Sequence, residues 1–182
     1  MNNLQKKFRE KIVPELMKEF GHKNPMSVAK PEKVSINAGL SKAVNNPHFT
    51  EDVFNDLKLI AGQAPVKTKA KKAISGFKIR ENQEVGVAVT LRGKRMWDFI
   101  ERLTQAAIPR IRDFRGIDLS NFDKQGNFSY GIKEQIVFPE ISHDDVNTIF
   151  GFQVNVKTTT ADQEESIKLF RLLGFPIKED SK

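Results

Sequence analysis

The chain of 182 residues contains no cysteine, which removes disulfides, thiolate nucleophiles, thiol redox chemistry and every zinc site that needs a sulfur ligand. A thiol-free composition suits a reducing compartment. Histidine is nearly as scarce: His22, His48 and His143 stand far apart, and none has a metal-ligand partner at i+3, i+4 or within a short loop. They read as surface or hydrogen-bonded histidines, and no metal or cofactor is expected. Phosphate-cradling glycine loops are missing too. No GxxxxGK[ST] or GxGxxG occurs, and Gly93-Lys94-Arg95 follows an alternating stretch without the loop that would wrap a phosphate. The acids Glu140, Asp144 and Asp145 could pair for acid–base work, but Ser142 with Asp145 three residues on reads more simply as a helix cap. No apolar run approaches the ~20 residues that span a bilayer. The segment MNNLQKKFREKI is too charged for a signal-peptide core. A soluble, cytoplasmic protein with no membrane partner and no enzymatic activity is the expectation.

What is abundant is positive charge, unevenly spread. The formal net charge is +7; residues 134–182 hold nine acids and five bases, so residues 1–133 carry +11. Between Leu57 and Arg80 stand seven basic residues and no acid: Lys58, Lys67, Lys69, Lys71, Lys72, Lys78 and Arg80. Such a surface calls for a polyanion. The next stretch alternates strictly, with Val85, Val87, Val89 and Leu91 on one side and Gly86, Ala88, Thr90 and Arg92 on the other. That is a half-buried strand whose second face suits the close approach of a sugar-phosphate backbone.

At this length one domain is expected, spanning 1–182. Leu4, Phe8, Ile12, Leu16 and Phe20 recur at helical spacing, with Pro14 imposing a break near 11–13 and Gly21 a stop. Residues 22–31 read as an irregular connection. Residues 33–40 form a strand with Val34, Ile36 and Ala38 inward and Ser35, Asn37 and Gly39 outward. Asn46-Pro47 is a helix start, the stripe Val53, Phe54, Leu57, Ile60, Ala61 faces the sheet, and Gly62 ends the helix. A short strand at 65–69 leads to a long tip, 70–83, on which Phe77 is the one large apolar residue placed for exposure. Met96, Trp97, Ile100, Leu103 and Ala107 mark the helical stretch 93–108, which places Trp97 in the core. A second extended loop runs over 110–127, strands over 128–138 and 152–157, and a last helix opens with a Thr160/Gln163 capping box and ends at Gly174. The fold class is α+β: an antiparallel-rich sheet, helices on one face, an open nucleic-acid-binding face, and two protruding loops.

The segments LKLIAGQAPVKTKAKKAISGFKIRENQEVGVAVTLRG, RMWDFIERL, IPRIRDFRGI, GNFSYGIKEQIVFPEI and LLGFP, in that order along nearly the whole chain, closely resemble the bacterial large ribosomal subunit protein five family, which binds 5S ribosomal RNA. The resemblance implies docking on 5S rRNA and neighbouring large-subunit rRNA in the central protuberance, beside other ribosomal proteins. It places Asn37, Gln63, Thr68, Thr90 and Arg92 against 5S rRNA; the basic stretch, read by its charge, adds Lys67 and Lys69 as phosphate contacts. The tip bearing Lys71, Lys72, Ser75, Gly76, Phe77, Lys78 and Arg80 would reach transfer RNA in the P site. Arg112, Asp113, Arg115, Asp144 and Asp145 would face a protein of the small-subunit head as an intersubunit bridge. A stand-alone RNA-binding regulator or RNA chaperone would use the same face; an RNA-modifying enzyme would need a cofactor cleft for which no motif is present.

Overall fold

Period-two segments dominate the centre of the chain, and in the computed structural model they assemble into one antiparallel sheet. The structure describes residues 3–40, 48–77, 79–142, 146, 148–160 and 162–178. The strands are β1 (Pro31–Gly39), β2 (Val66–Lys69), β3 (Glu84–Leu91), β4 (Phe128–Ile132) and β5 (Phe152–Thr158), in the spatial order β2-β3-β1-β5-β4. Val34, Ile36 and Ala38 of β1, Val87, Val89 and Leu91 of β3, and Val154 and Val156 of β5 are buried, as the alternation requires. Helices cover that side. The opposite face keeps its side chains wholly or partly in solvent, so the sheet is open.

The helices follow from their apolar stripes and stops. The first begins as α1 (Asn3–Lys7), loosens into a π-helical turn at Phe8–Ile12 and resumes as α2 (Val13–Phe20), with Pro14 in the first turn of α2. A proline cannot donate the helical hydrogen bond and crowds the preceding turn, and the wider π turn relieves both constraints. Gly21 ends α2 with φ +68°, a left-handed conformation that favours glycine. Helix α3 (His48–Ala61) packs on β3, and its stop at Gly62 is as expected; the Asn46-Pro47 start lies outside the described residues. Helix α4 (Gly93–Arg102) buries Trp97 against Phe8, ring centroids 5.1 Å apart, so Trp97 is core. Helix α5 (Gln163–Leu173) packs beside α2 and closes an aromatic cluster of Phe122, Phe128, Phe170 and Phe175, with centroids 4.9–5.4 Å apart. Aromatic pairs of this kind contribute about 0.5–1.5 kcal/mol beyond their buried area.

Two local expectations are corrected. Strand β4 stops at Ile132 instead of running to Phe138. The chain there passes over Gly151, where a Cβ would lie 2.9 Å from the Ile132 carbonyl, and the fully buried Gln135 then takes over the backbone bonding. Its amide donates to the Thr148 carbonyl (2.7 Å) and accepts from Phe150 N–H (3.0 Å). The cap of α5 is Asp162, which accepts from Glu164 N–H, and not Thr160. Thr160 instead donates to Glu165, whose carboxylate is buried and also takes Ala29 N–H (2.8 Å) and His22 Nε2 (3.0 Å). Glu165 therefore ties the 22–30 connection to α5, beyond any part in the helix dipole. Glu140 pairs with Arg102 of α4; Asp144 and Asp145, the acids weighed beside it, lie outside the described residues, as does His143.

Candidate nucleic-acid interface

The antiparallel register lines up the outward side chains in rows across the sheet. In one row Thr90 of β3 lies opposite Ser35 of β1, Ser35 opposite Asn155 of β5, and Asn155 opposite Ser129 of β4. In the next, Val66 meets Ala88, then Asn37, Gln153 and Gly131. A third runs Thr68, Gly86, Gly39. Asn37 and Thr90 thus share one face, as the two alternations required. With strands about 4.8 Å apart, a row from β3 to β4 spans about 14 Å. These rows hold hydroxyls, amides and small side chains, with no carboxylate and no aromatic ring. Such a surface can exchange hydrogen bonds with ribose hydroxyls and phosphates, but it offers no platform for stacked bases.

Gly86 sets the depth of this surface. A Cβ there would come within 2.8 Å of Thr68 Oγ1 and 3.2 Å of the Ala38 carbonyl, with Asn37 Oδ1 at 3.8 Å. Thr68 and Asn37 can lean over the strand only because that position has no side chain. Gln63 sits at the rim, where β2 has not yet begun: its amide donates to the Thr90 carbonyl (3.2 Å) and accepts from Arg95 (3.0 Å). It satisfies a backbone group on β3 that has no strand partner. Lys67 is placed differently from the other candidates. Paired with Val87, it turns toward the helices, its ammonium 6.0 Å from the Phe54 ring centroid and 3.2 Å from Glu84. The residue parity of β2 puts Thr68 on the open face and Lys67 off it. Lys69 is exposed, opposite Glu84.

Beyond β2 and β3 the tip is a built hairpin. Ala70 and Gln83 are joined by backbone bonding, Asn82 N–H returns to the Ala70 carbonyl, and Ile74 and Ile79 exchange both backbone bonds. Asn82 takes a φ of +62°, and Gln83 accepts from Arg80 N–H through its side chain. Lys71, Lys72, Ser75, Gly76, Phe77 and Arg80 are all exposed, Phe77 to 74%, while Lys78 lies outside the described residues. In the second loop Arg112, Asp113 and Arg115 are exposed, Asp113 with a φ of +55°. The loop is anchored where Ile117 N–H donates to the Pro176 carbonyl and Lys178 N–H returns to Ile117.

Models of known families match both halves of the chain. The ribosomal protein L5 model covers residues 24–80, and the model of the C-terminus of the same ribosomal family covers residues 84–177. The chain belongs to the ribosomal protein L5 family. The large ribosomal subunit protein uL5 of Clostridium perfringens is 46% identical over 179 residues, 98% of this chain and all of that protein. The protein of the same name from Verminephrobacter eiseniae is 48% identical over 178 residues, 98% of this chain and 99% of that one. That from Dictyoglomus thermophilum is 46% identical over 179 residues, with 98% and 100% covered.

The two L5 family segments do not form separate layers. The first supplies β1 and β2, the second β3, β4 and β5, and β3 inserts between β1 and β2. The face is complete only when both are folded together. Ser35, Gln153, Asn155 and Ser129 belong to it as much as Asn37 and Thr90 do, yet sequence reasoning named none of them as site residues. Their signal was present in the alternation of β1, β4 and β5; what was missing was the register that sets them in line with Thr90.

Proposed function

We propose that the chain is a structural component of the large ribosomal subunit, bound to ribosomes in the cytoplasm, that docks on 5S rRNA through its open sheet face. The observation that carries this reading is the set of cross-strand rows of uncharged hydrogen-bonding groups, free of carboxylates and aromatics and reached through a lysine-rich margin. Lysines supply phosphate affinity that depends on salt, and the strand side chains supply contacts to backbone and 2′-hydroxyl groups that do not. Membership of the ribosomal protein L5 family and the uL5 relatives support the ribosomal setting and a structural rather than enzymatic role.

Within that setting the whole chain acts as one RNA-binding unit in the central protuberance, against 5S rRNA, neighbouring large-subunit rRNA and adjacent proteins. Asn37, Gln63, Thr68, Lys69, Thr90 and Arg92 face the 5S RNA. The hairpin tip, with Phe77 at its end, reaches P-site transfer RNA. The loop bearing Arg112, Asp113 and Arg115 meets a small-subunit head protein as an intersubunit bridge. Dissociation constants for 5S rRNA, measured at four or more salt concentrations, test the reading. Thr90→Ala and Asn37→Ala remove no charge, so each should weaken binding by about 1–3 kcal/mol with little change in salt slope. Lys69→Ala should flatten the slope by roughly one phosphate contact. If both uncharged variants bind like wild type at every salt concentration, the open-face reading fails.

A further inference from the structure

One end of the open face carries charges instead of hydroxyls and amides. Lys33 of β1 lies directly opposite Lys157 of β5, and Arg92, following Leu91 opposite Val34, comes alongside Lys33. Like charges set opposite one another oppose sheet formation. Here the strand itself supplies a counter-charge. Pro31 pairs with Thr158 and Lys33 with Lys157, so Glu32 is the extra residue of a β-bulge. A bulge re-aims a side chain that strict alternation would send to the other face. The Glu32 carboxylate accordingly reaches Lys157 Nζ at 2.8 Å. The Lys157 ammonium, through that bond and its charge, holds the Glu32 carboxyl below the usual carboxylate range. Slight burial opposes the shift, and Lys33 and then Arg92 add to it. Three cations, on β1, on β5 and just past the end of β3, thus act on one carboxylate, and the group keeps a net positive charge.

We infer that Lys33, Arg92 and Lys157 form a phosphate-binding corner at the end of the open face, in which Glu32 is an internal stand-in that an RNA phosphodiester displaces. The inference rests on the reading of the open face as an RNA surface. Both partners of the Glu32–Lys157 pair are about half exposed, at 48% and 52%, and such a pair is weak and easily exchanged. A phosphodiester presents several acceptor oxygens and can take bonds from more than one of the three cations, whereas among the described residues Glu32 bonds Lys157 alone. Until RNA arrives, Glu32 balances charges that would otherwise repel across the β1–β5 pair.

The test compares 5S rRNA binding by wild type, Glu32→Gln, Lys157→Met, the double variant, and Glu19→Gln, each over a salt series and after circular dichroism confirms folding. Glu19 pairs with Lys168 at 3.0 Å, between α2 and α5, so Glu19→Gln makes the same charge change away from the sheet face. Glu32→Gln is expected to bind about threefold or more tightly at low salt and to steepen the salt dependence, because the freed lysine gathers counterions that RNA then releases. Lys157→Met should weaken binding, and in its background Glu32→Gln should lose most of its effect. Glu19→Gln should stay within twofold of wild type. The corner is overturned if Glu32→Gln leaves affinity and slope unchanged, weakens binding, or does no more than Glu19→Gln. If Thr90→Ala and Asn37→Ala weaken binding while Glu32→Gln is silent, the corner alone fails. If wild type does not bind 5S rRNA, or both uncharged variants bind like wild type, the open-face reading fails and the corner with it.

Discussion

Replacing Gly86 by alanine separates the shape of the sheet face from its charge. Gly86 has no left-handed φ, so alanine is conformationally allowed there, and the loss of glycine freedom in the unfolded chain favours the variant by about 0.4–1 kcal/mol. Against this stands the new Cβ, 2.8 Å from Thr68 Oγ1 and 3.2 Å from the Ala38 carbonyl. The threonine can rotate, but the carbonyl belongs to the β1–β3 pairing and can give by only a few tenths of an ångström. Overpacking of this size costs about 1–3 kcal/mol, so the net loss of stability should be about 0–2.6 kcal/mol and the variant should fold. Binding should suffer more. Thr68 is pushed off its site and Asn37 is crowded, so the two uncharged contacts proposed with RNA should be disturbed at once. A loss of about 1–3 kcal/mol in affinity for 5S rRNA is expected, with an unchanged salt slope. Urea unfolding gives the first quantity, and binding isotherms across a salt series the second. Gly76→Ala, on the hairpin tip and away from the sheet face, is the control, since nothing lies within 4 Å of a Cβ built there. If Gly86→Ala folds and binds as tightly as wild type, Thr68 and Asn37 are not held in place by that glycine, and the close-approach argument is wrong.

Glu165→Ala should lower stability by about 2–4 kcal/mol in urea unfolding, because the Ala29 N–H and the Thr160 hydroxyl lose a buried charged acceptor; a change below about 0.5 kcal/mol would refute that role. Asp56→Asn should stabilise the protein at pH 7 and do little at pH 3. Burial raises the Asp56 carboxyl above its usual range, the Gln135 amide pulls it back and Asp52 raises it further. A raised folded-state pKa favours folding below the unfolded value of about 3.9, and that contribution is lost as pH rises through the folded value. An equal effect at both pH values would refute this. Phe77→Ala should leave unfolding free energy within about 0.5 kcal/mol and 5S rRNA affinity within twofold, since the ring is 74% exposed, while impairing transfer RNA handling on assembled ribosomes. Equal loss of 5S rRNA binding and transfer RNA handling would show that tip and sheet do not serve separate partners.

The strands β1 and β3 were legible because steric alternation is a property of neighbouring residues: Val87, Val89 and Leu91 could not be buried unless Ala88 and Thr90 faced away. The burial of Trp97, the exposure of Phe77 and the stops at Gly21, Gly62 and Gly174 were legible for the same local reason. Lys67 was not. A four-residue strand with Val66 67% exposed gives no alternation to read, and only pairing with β3 decides which way Lys67 points. The tie made by Glu165 was not legible either, because nothing near it in sequence announces Ala29 or His22, over a hundred residues away. The end of β4 depended likewise on Gly151 passing beneath Ile132.

The sequence by itself determined the elements, the face each long strand buries, and the basic character of the N-terminal two thirds, because these follow from the side chains within a few positions. Tertiary structure alone decided that β3 lies between β1 and β2, that Thr90, Ser35, Asn155 and Ser129 form one row, and that a bulge brings Glu32 to Lys157. Those outcomes depend on register between residues far apart in the chain, such as Ser35 and Asn155, which are 120 positions apart. Register is set by the packing of the whole buried face against the helices, which no local pattern encodes.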